Sequence, residues 1–175
     1  MRKRVDQKLL ALCALFATTA ILSACAAIGL GNVLQAPRFS VASGRNAELR
    51  LAAPSLQSPL GGATIRLWAH VQNPNPFGLA LAALEGSLAL EGTRAANVNF
   101  PLGVPLLASQ DTIIPLDITV RFSDLPGLAN LASRLLTQSS VNYQLDGTVT
   151  VDAGLLGQPR FGPSTLLNGN MVIRR

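Results

Sequence analysis

Few side chains in this sequence could do chemistry. The chain has two cysteines and one histidine among 175 residues. Cys25 follows Leu22, Ser23 and Ala24, a branched apolar residue and two small ones. A thiol in that setting can accept a diacylglycerol as a thioether before the peptide bond preceding it is cut. His70 stands between Arg66 and Gln72 with no carboxylate at the spacing of a hydrolytic triad, so a solvated or cross-strand-packed imidazole is expected rather than a base. Glu85 and Glu91 lie roughly 20 Å apart along a strand, too far for a paired-carboxylate hydrolase. Zinc would need thiolate or imidazole ligands that are missing once Cys25 is acylated. Asp146 and Asp152 are too widely spaced for a local calcium loop. There is no GxSxG elbow, P-loop or dinucleotide-binding glycine pattern. The expectation is a non-enzyme with no metal and no cofactor.

The segment in front of Cys25 explains why that thiol matters. Met1-Arg2-Lys3-Arg4 and Lys8 are basic, and Leu9–Leu22 is an uncharged, mostly apolar run. Such a run is too short for a permanent span of a hydrocarbon core about 30 Å thick. Residues 1–24 therefore read as a signal peptide, and Leu22-Ser23-Ala24-Cys25 resembles the bacterial lipobox. The competing reading is an ordinary secretory signal with a coincidental cysteine. Residues 25–37 are small and apolar up to Pro37 and read as a lipidated tether, leaving 38–175 as one domain.

Removal of 1–24 also changes the charge. The whole chain carries +5, from 14 basic and nine acidic residues. The part from Cys25 onward keeps ten arginines, no lysine and eight acids, a net of +2. No basic cluster remains, so nucleic acid is not an expected partner. Membrane contact is expected through the lipid on Cys25. Ala26 stands where enteric bacteria use aspartate for inner-membrane retention, so the expected location is the periplasmic face of the outer membrane in a host with two membranes.

Behind the anchor the apolar residues alternate with a period of two. Ala63, Ile65, Leu67, Ala69 and Val71 face one way, and Thr64, Arg66, Trp68, His70 and Gln72 the other. Ala82, Leu84, Gly86, Leu88 and Leu90 form a second inward row. Ile114 to Phe122 forms a third, and Val141, Tyr143, Leu145, Val149 and Val151 a fourth. Weaker strand candidates are 39–42, 47–51, 97–101 and 169–174, with proline- and glycine-rich gaps at 54–62, 101–105 and 154–163. About seven antiparallel strands, each with one wet face, predict an all-β sandwich. Residues 123–137 break the period, with Leu128, Leu131, Leu135 and Leu136 at helical spacing. A short helix there would either plug one end of the sandwich or lie on lipid.

Asn73-Pro74-Asn75-Pro76-Phe77 ends the first alternating row. Both prolines lack the N–H that a strand ladder needs and push the preceding asparagines into extended backbone. Asparagine amides can then satisfy the groups left open at the bend. The motif reads as a structural corner. Outward Trp68, flanked by Arg66 and His70, is either covered by a neighbouring loop or part of a contact surface.

The run from Ile65 to Leu79, with NPNPF at its centre, resembles the signature of the late embryogenesis abundant type 2 family, which includes the water stress and hypersensitive response domain. Leu79, Leu81, Leu84, Leu88, Leu90 and Gly92 fit the leucine pattern of its second strand, and the later order of elements is similar. The resemblance implies an immunoglobulin- or fibronectin III-like sandwich, a role in desiccation or related stress, and no catalysis. Two other readings compete with a lipid-anchored protective protein. One is a periplasmic carrier or chaperone for acyl chains or unfolded segments, and the other is an interaction module of the envelope.

Overall fold

Each alternating row in the sequence becomes a strand. The computed structural model describes residues 34–56, 59–122 and 137–174. They contain β1 (Arg38–Val41), β2 (Ala47–Ala52), β3 (Gly62–Gln72), β4 (Leu79–Leu90), β5 (Thr93–Leu106), β6 (Asp111–Arg121), β7 (Ser140–Asp152) and β8 (Arg160–Arg174). All belong to one compact unit, Ala36–Arg175. The expected signal peptide and lipobox, Cys25, and most of the expected tether and helix lie outside the described residues.

The architecture is all-β and almost wholly antiparallel. β6 runs along the whole of one edge of β3. β1 and β2 share the other edge, β1 opposite Ala69–Gln72 and β2 opposite Gly62–Arg66. β2 also pairs with β8, in the one parallel contact of the path. From β8 the ladder continues through β7 and β4 to β5. β5 and β6 are joined by the turn 107–110, and β6 pairs with β3 off the main path.

The inward rows of both halves of the sheet are buried. Ala63, Ile65, Leu67 and Ala69 stand opposite Val120, Ile118, Leu116 and Ile114, and all eight are buried. Leu81, Leu84, Leu88 and Leu90 stand opposite Val151, Val149, Leu145 and Tyr143, again all buried. Burying a leucine or isoleucine side chain is worth about 1.5–3 kcal/mol. These facing rows therefore dominate the stability of the unit.

Three details differ from the sequence expectation. Ala82 does not lie in the inward row of β4. The buried residues are Leu79, Leu81, Leu84, Leu88 and Leu90, and the change from odd to even positions coincides with a register shift between Leu81 and Ala83. One extra residue at a bulge moves every later side chain to the other parity. Second, β5 and β8 are far longer than 97–101 and 169–174. β5 alternates from Val98 to Leu106, but Pro101, Gly103 and Pro105 on its exposed face read as a gap, and the first six residues of β8 bury nothing and display no alternation. Pro101 and Pro105 sit in β5 and Pro115 in β6, strands that pair on one side only along their described length, where a missing N–H costs no ladder bond. Third, Phe122 lies beyond β6 and is only half-buried.

Candidate functional site

The outward side chains of β3 and its neighbours form the most organised surface on the described part of the molecule. Strand register decides which residues meet. Arg66 stands between Glu48 of β2 and Asp117 of β6, and His70 between Ser40 of β1 and Ile113 of β6. Trp68 lies between these rows, level with the turn that joins β1 to β2.

Arg66 donates from Nε and Nη2 to the two carboxylate oxygens of Asp117, at 2.6 and 2.8 Å. This fork-to-fork geometry is the strong form of the arginine–carboxylate pair. The hydrogen bonds from Arg66 hold the Asp117 carboxyl below its ordinary range, and the same contact raises the guanidinium further. Glu48 is engaged by both Arg50 and Arg174, each at 3.3 Å. Its carboxyl is lowered chiefly by the hydrogen bond from Arg50. With Thr64, four of these residues (Glu48, Arg50, Arg66 and Asp117) line a small charged depression.

His70 bridges three strands. Its Nδ1 lies 3.2 Å from Ser40 Oγ, and its Nε2 lies 2.5 Å from Asp111 Oδ2. The hydrogen bond to His70 lowers the Asp111 carboxyl. Sequence spacing could not reveal this carboxylate, because Asp111 is 41 residues away and only the β3–β6 register brings it near. A serine, a histidine and an aspartate in contact invite comparison with a hydrolytic triad. The Asp111 side chain is, however, 59% exposed and that of His70 34% exposed. A catalytic carboxylate of this type works buried, where it fixes the imidazole away from water. The chain Ser40–His70–Asp111 instead ties β1, β3 and β6 together beneath an open depression bordered by Val41, Thr112 and Ile113.

Trp68 is half-buried, and the guanidinium of Arg45 lies 4.2 Å from its ring centroid. The covering loop is therefore the β1–β2 turn, and the cover is itself a cation. That turn closes through Gly44 at φ 72°, a left-handed conformation that costs glycine nothing.

The NPNPF segment forms a hydrogen-bonded corner. Asn73 and Asn75 are fully buried. Asn73 Nδ2 donates to the carbonyls of Phe77 at 2.8 Å, Leu107 at 3.1 Å and Leu106 at 3.2 Å. Its Oδ1 accepts from the backbone N–H and the side-chain amide of Asn75, both at 3.0 Å. The Asn73 N–H reaches Gln110 O, and the Ser109 N–H reaches Asn75 O. One asparagine thus joins the end of β3, the start of β4 and the β5–β6 turn. Pro74 and Phe77 are half-buried and Pro76 is exposed.

The remaining carboxylates do not converge. Glu85 pairs with Arg160 at 2.5 Å. Glu91 accepts from the Asn142 N–H, Asp146 from Gln144 and Thr165, and Asp152 from the Gly154 N–H. Among the described residues no group of three or more His, Cys, Asp and Glu side chains is placed to hold a metal ion.

Comparison with known proteins follows the fold. A family model for late embryogenesis abundant protein matches residues 69–165. A solution structure from Arabidopsis thaliana is 16% identical, with a TM-score of 0.55, covering 83% of this chain and 90% of its own. A second solution structure, of a chain assigned to the late embryogenesis abundant (LEA) proteins, is 19% identical with a TM-score of 0.49, covering 97% of this chain and 87% of its own. A crystal structure of a protein from Archaeoglobus fulgidus is 12% identical with a TM-score of 0.43, over 75% of this chain and 98% of its own. No curated protein matches the sequence.

Proposed function

The chain belongs to the late embryogenesis abundant protein family, and from that membership we propose that it is a lipid-anchored, non-enzymatic protein of the bacterial envelope that protects it during drying and related stress. Family membership is the observation that carries the stress role. The anchor rests on a separate one, Cys25 directly after Leu22-Ser23-Ala24 at the end of a basic and then apolar leader. Acyl chains on that cysteine and its new amino terminus hold the domain at the membrane, since two or more chains anchor firmly where one is marginal. With a net charge of only +2 from Cys25 onward, the lipid supplies most of the local concentration.

The absence of catalysis is supported by the site chemistry. The one histidine and its carboxylate are open to water, and Glu48, Asp111 and Asp117 are each engaged across strands. A carrier for acyl chains would need an apolar hollow. The two depressions around β3 are instead bordered largely by charged and hydroxyl side chains, which favours a protective surface over a carrier.

Survival of a deletion strain through drying and osmotic shock tests this function. Wild-type complementation should restore survival, and Cys25→Ser should leave the protein unprocessed or off the membrane and restore much less. Incorporation of a labelled fatty acid reads the anchor directly, and an unlabelled wild-type protein would end the anchor claim. Unchanged survival in the deletion strain would end the stress claim.

A further inference from the structure

Charge is not spread evenly over the sheet. β1, β2, β3, β6 and the β1–β2 turn carry Arg38, Arg45, Arg50, Arg66 and Arg121 against Glu48, Asp111 and Asp117. Arg174 of β8 joins them through its contact with Glu48, making six arginines against three carboxylates. The rest of the sheet carries Arg94 and Arg160 against Glu85, Glu91, Asp146 and Asp152, two against four.

The partners sharpen this imbalance. On the β3 side Asp117 and Glu48 are each met by arginine and Asp111 by His70, whereas Arg38, Arg45 and Arg121 form no ion pair among the described residues. On the other side only Glu85 has a cation. Glu91, Asp146 and Asp152 are held by neutral donors and keep their charge uncompensated. The domain is thus a dipole across its sheet, although its total charge is small.

The positive side also carries its exposed apolar groups where a lipid interface would meet them. Ile113, opposite His70 in the β3–β6 register, is 42% exposed. Trp68, the single tryptophan of the chain, lies half-open beneath Arg45. Tryptophan and arginine are suited to the headgroup layer, one by its amphipathic ring and the other by its charge. Cation–π contact with the ring lets Arg45 shed water at less cost.

We propose that the outward face of β1, β3 and β6 is the surface this protein lays against an anionic bilayer, with Arg38, Arg45 and Arg121 at the headgroups and Trp68 at the interface. The proposal rests on the lipid-anchored reading and goes further by fixing which face meets the membrane. β3 would then lie along the surface, since Arg38 and Arg121 mark opposite ends of its register, roughly 33 Å apart at 3.3 Å per residue. The uncompensated carboxylates, Glu91 of the β4–β5 turn and Asp146 and Asp152 of β7, belong to the other part of the strand path.

The native tryptophan provides the test. The full-length lipidated chain is reconstituted into vesicles of phosphatidylglycerol or of phosphatidylcholine, each doped with a lipid bearing a nitroxide on its headgroup. Trp68 emission should fall by about twofold in the anionic vesicles and much less in the neutral ones, and the difference should fade near 1 M salt. Arg38→Gln, Arg45→Gln and Arg121→Gln together should abolish the difference while the anchored fraction stays constant. Arg94→Gln with Arg160→Gln, the control on the other half, should leave it intact. Equal quenching in both lipids, or equal loss in the control, overturns the proposed face. A wild-type chain that fails to float with either vesicle would instead remove the anchor on which it rests.

Discussion

Replacing Asn73 by alanine or aspartate probes the element that most distinguishes this fold from a generic β-sheet. In the folded protein the buried Asn73 amide donates two hydrogens among three carbonyls, that of Leu106 buried, and its oxygen accepts two bonds from buried Asn75. Alanine removes the two donated hydrogens and the two bonds accepted from Asn75, each with a net worth of about 0.5–1.5 kcal/mol, and takes from the buried Leu106 carbonyl the donor that the amide supplied. A loss of about 3–5 kcal/mol follows, a large part of the 5–15 kcal/mol that keeps a domain of this size folded.

Aspartate keeps the shape and the accepting oxygen but turns the donor into a second acceptor facing three carbonyls. It should cost more than alanine at neutral pH, and it should behave differently with pH. An unpaired buried carboxyl has its pKa raised in the folded state, so the folded state binds the proton more tightly than the unfolded state. The deficit of Asn73→Asp relative to wild type should therefore be smallest at acid pH and grow as pH rises through the folded value. Urea unfolding of the Ala36–Arg175 unit, followed by circular dichroism between pH 4 and 8, measures both effects. Asn99→Ala, at an exposed position of β5, serves as the reference and should cost about 0.5 kcal/mol or less. If Asn73→Ala and Asn73→Asp were no worse than that reference, or if the aspartate deficit did not depend on pH, the corner would not be held by this amide.

Three further outcomes are expected. Leu67→Ala, Leu88→Ala and Ile118→Ala should each cost about 2–5 kcal/mol in the same urea assay, because all three are buried. Thr64→Ala and Thr119→Ala, which face each other on the outward side, should cost about 0.5 kcal/mol. Gly86→Ala should be strongly destabilising, since its Cβ would lie 2.0 Å from Asp146 O and 2.7 Å from Gly147 Cα, and hydrogen exchange should show β4 and β7 parting first. Acid should weaken the fold through Glu48, Asp111 and Asp117, whose carboxyls are all lowered. Their contribution is present above the unfolded carboxylate range near pH 4 and is lost as pH falls through the folded values, so Asp117→Asn should flatten that part of the pH–stability curve.

What could be read in the sequence follows from where burial leaves a mark. β3, β6 and β7 alternate without interruption, and their inward rows were legible residue by residue. In β4 the alternation holds on either side of the bulge, but the sequence does not show where the parity changes, so Ala82 and Leu81 exchange roles. In β5 the alternation from Val98 to Leu106 is masked by Pro101, Gly103 and Pro105, which read as a gap, and the first part of β8 buries too little to leave a period. The site divides in the same way. Asn73 and Asn75 stood out because each is followed by a proline, which forces an extended backbone. The partners of Arg66 and His70 did not, because contacts over 51 and 41 residues depend on register. The charge asymmetry is equally hidden. β3 and β6 are separated in sequence by β4 and β5, so arginines that share a face never form a cluster along the chain.

A folded protein that protects during drying faces a particular difficulty, because the hydrophobic effect that builds its core is a property of the water being removed. Interactions inside the protein respond in the opposite sense, since hydrogen bonds and ion pairs strengthen as the local dielectric falls. The described residues carry both kinds of support. The Asn73 corner is satisfied wholly by protein groups, and no buried side-chain polar atom lacks a partner among the described residues. The Arg66–Asp117 and Arg50–Glu48–Arg174 contacts, weak in bulk water because they are exposed, would tighten across β2, β3, β6 and β8 as water is withdrawn. On this reasoning the fold should survive dehydration better than its core alone would allow, and protection should depend on the fold. Leu67→Asp, which places a charge at a fully buried position, should abolish protection of dried cells even when Cys25 is acylated. Arg66→Gln with Asp117→Asn should leave the hydrated protein near wild-type stability yet lower its recovery after drying, read by circular dichroism on rehydration. Full recovery of that double variant would show that the cross-strand ion pairs contribute nothing in the dry state.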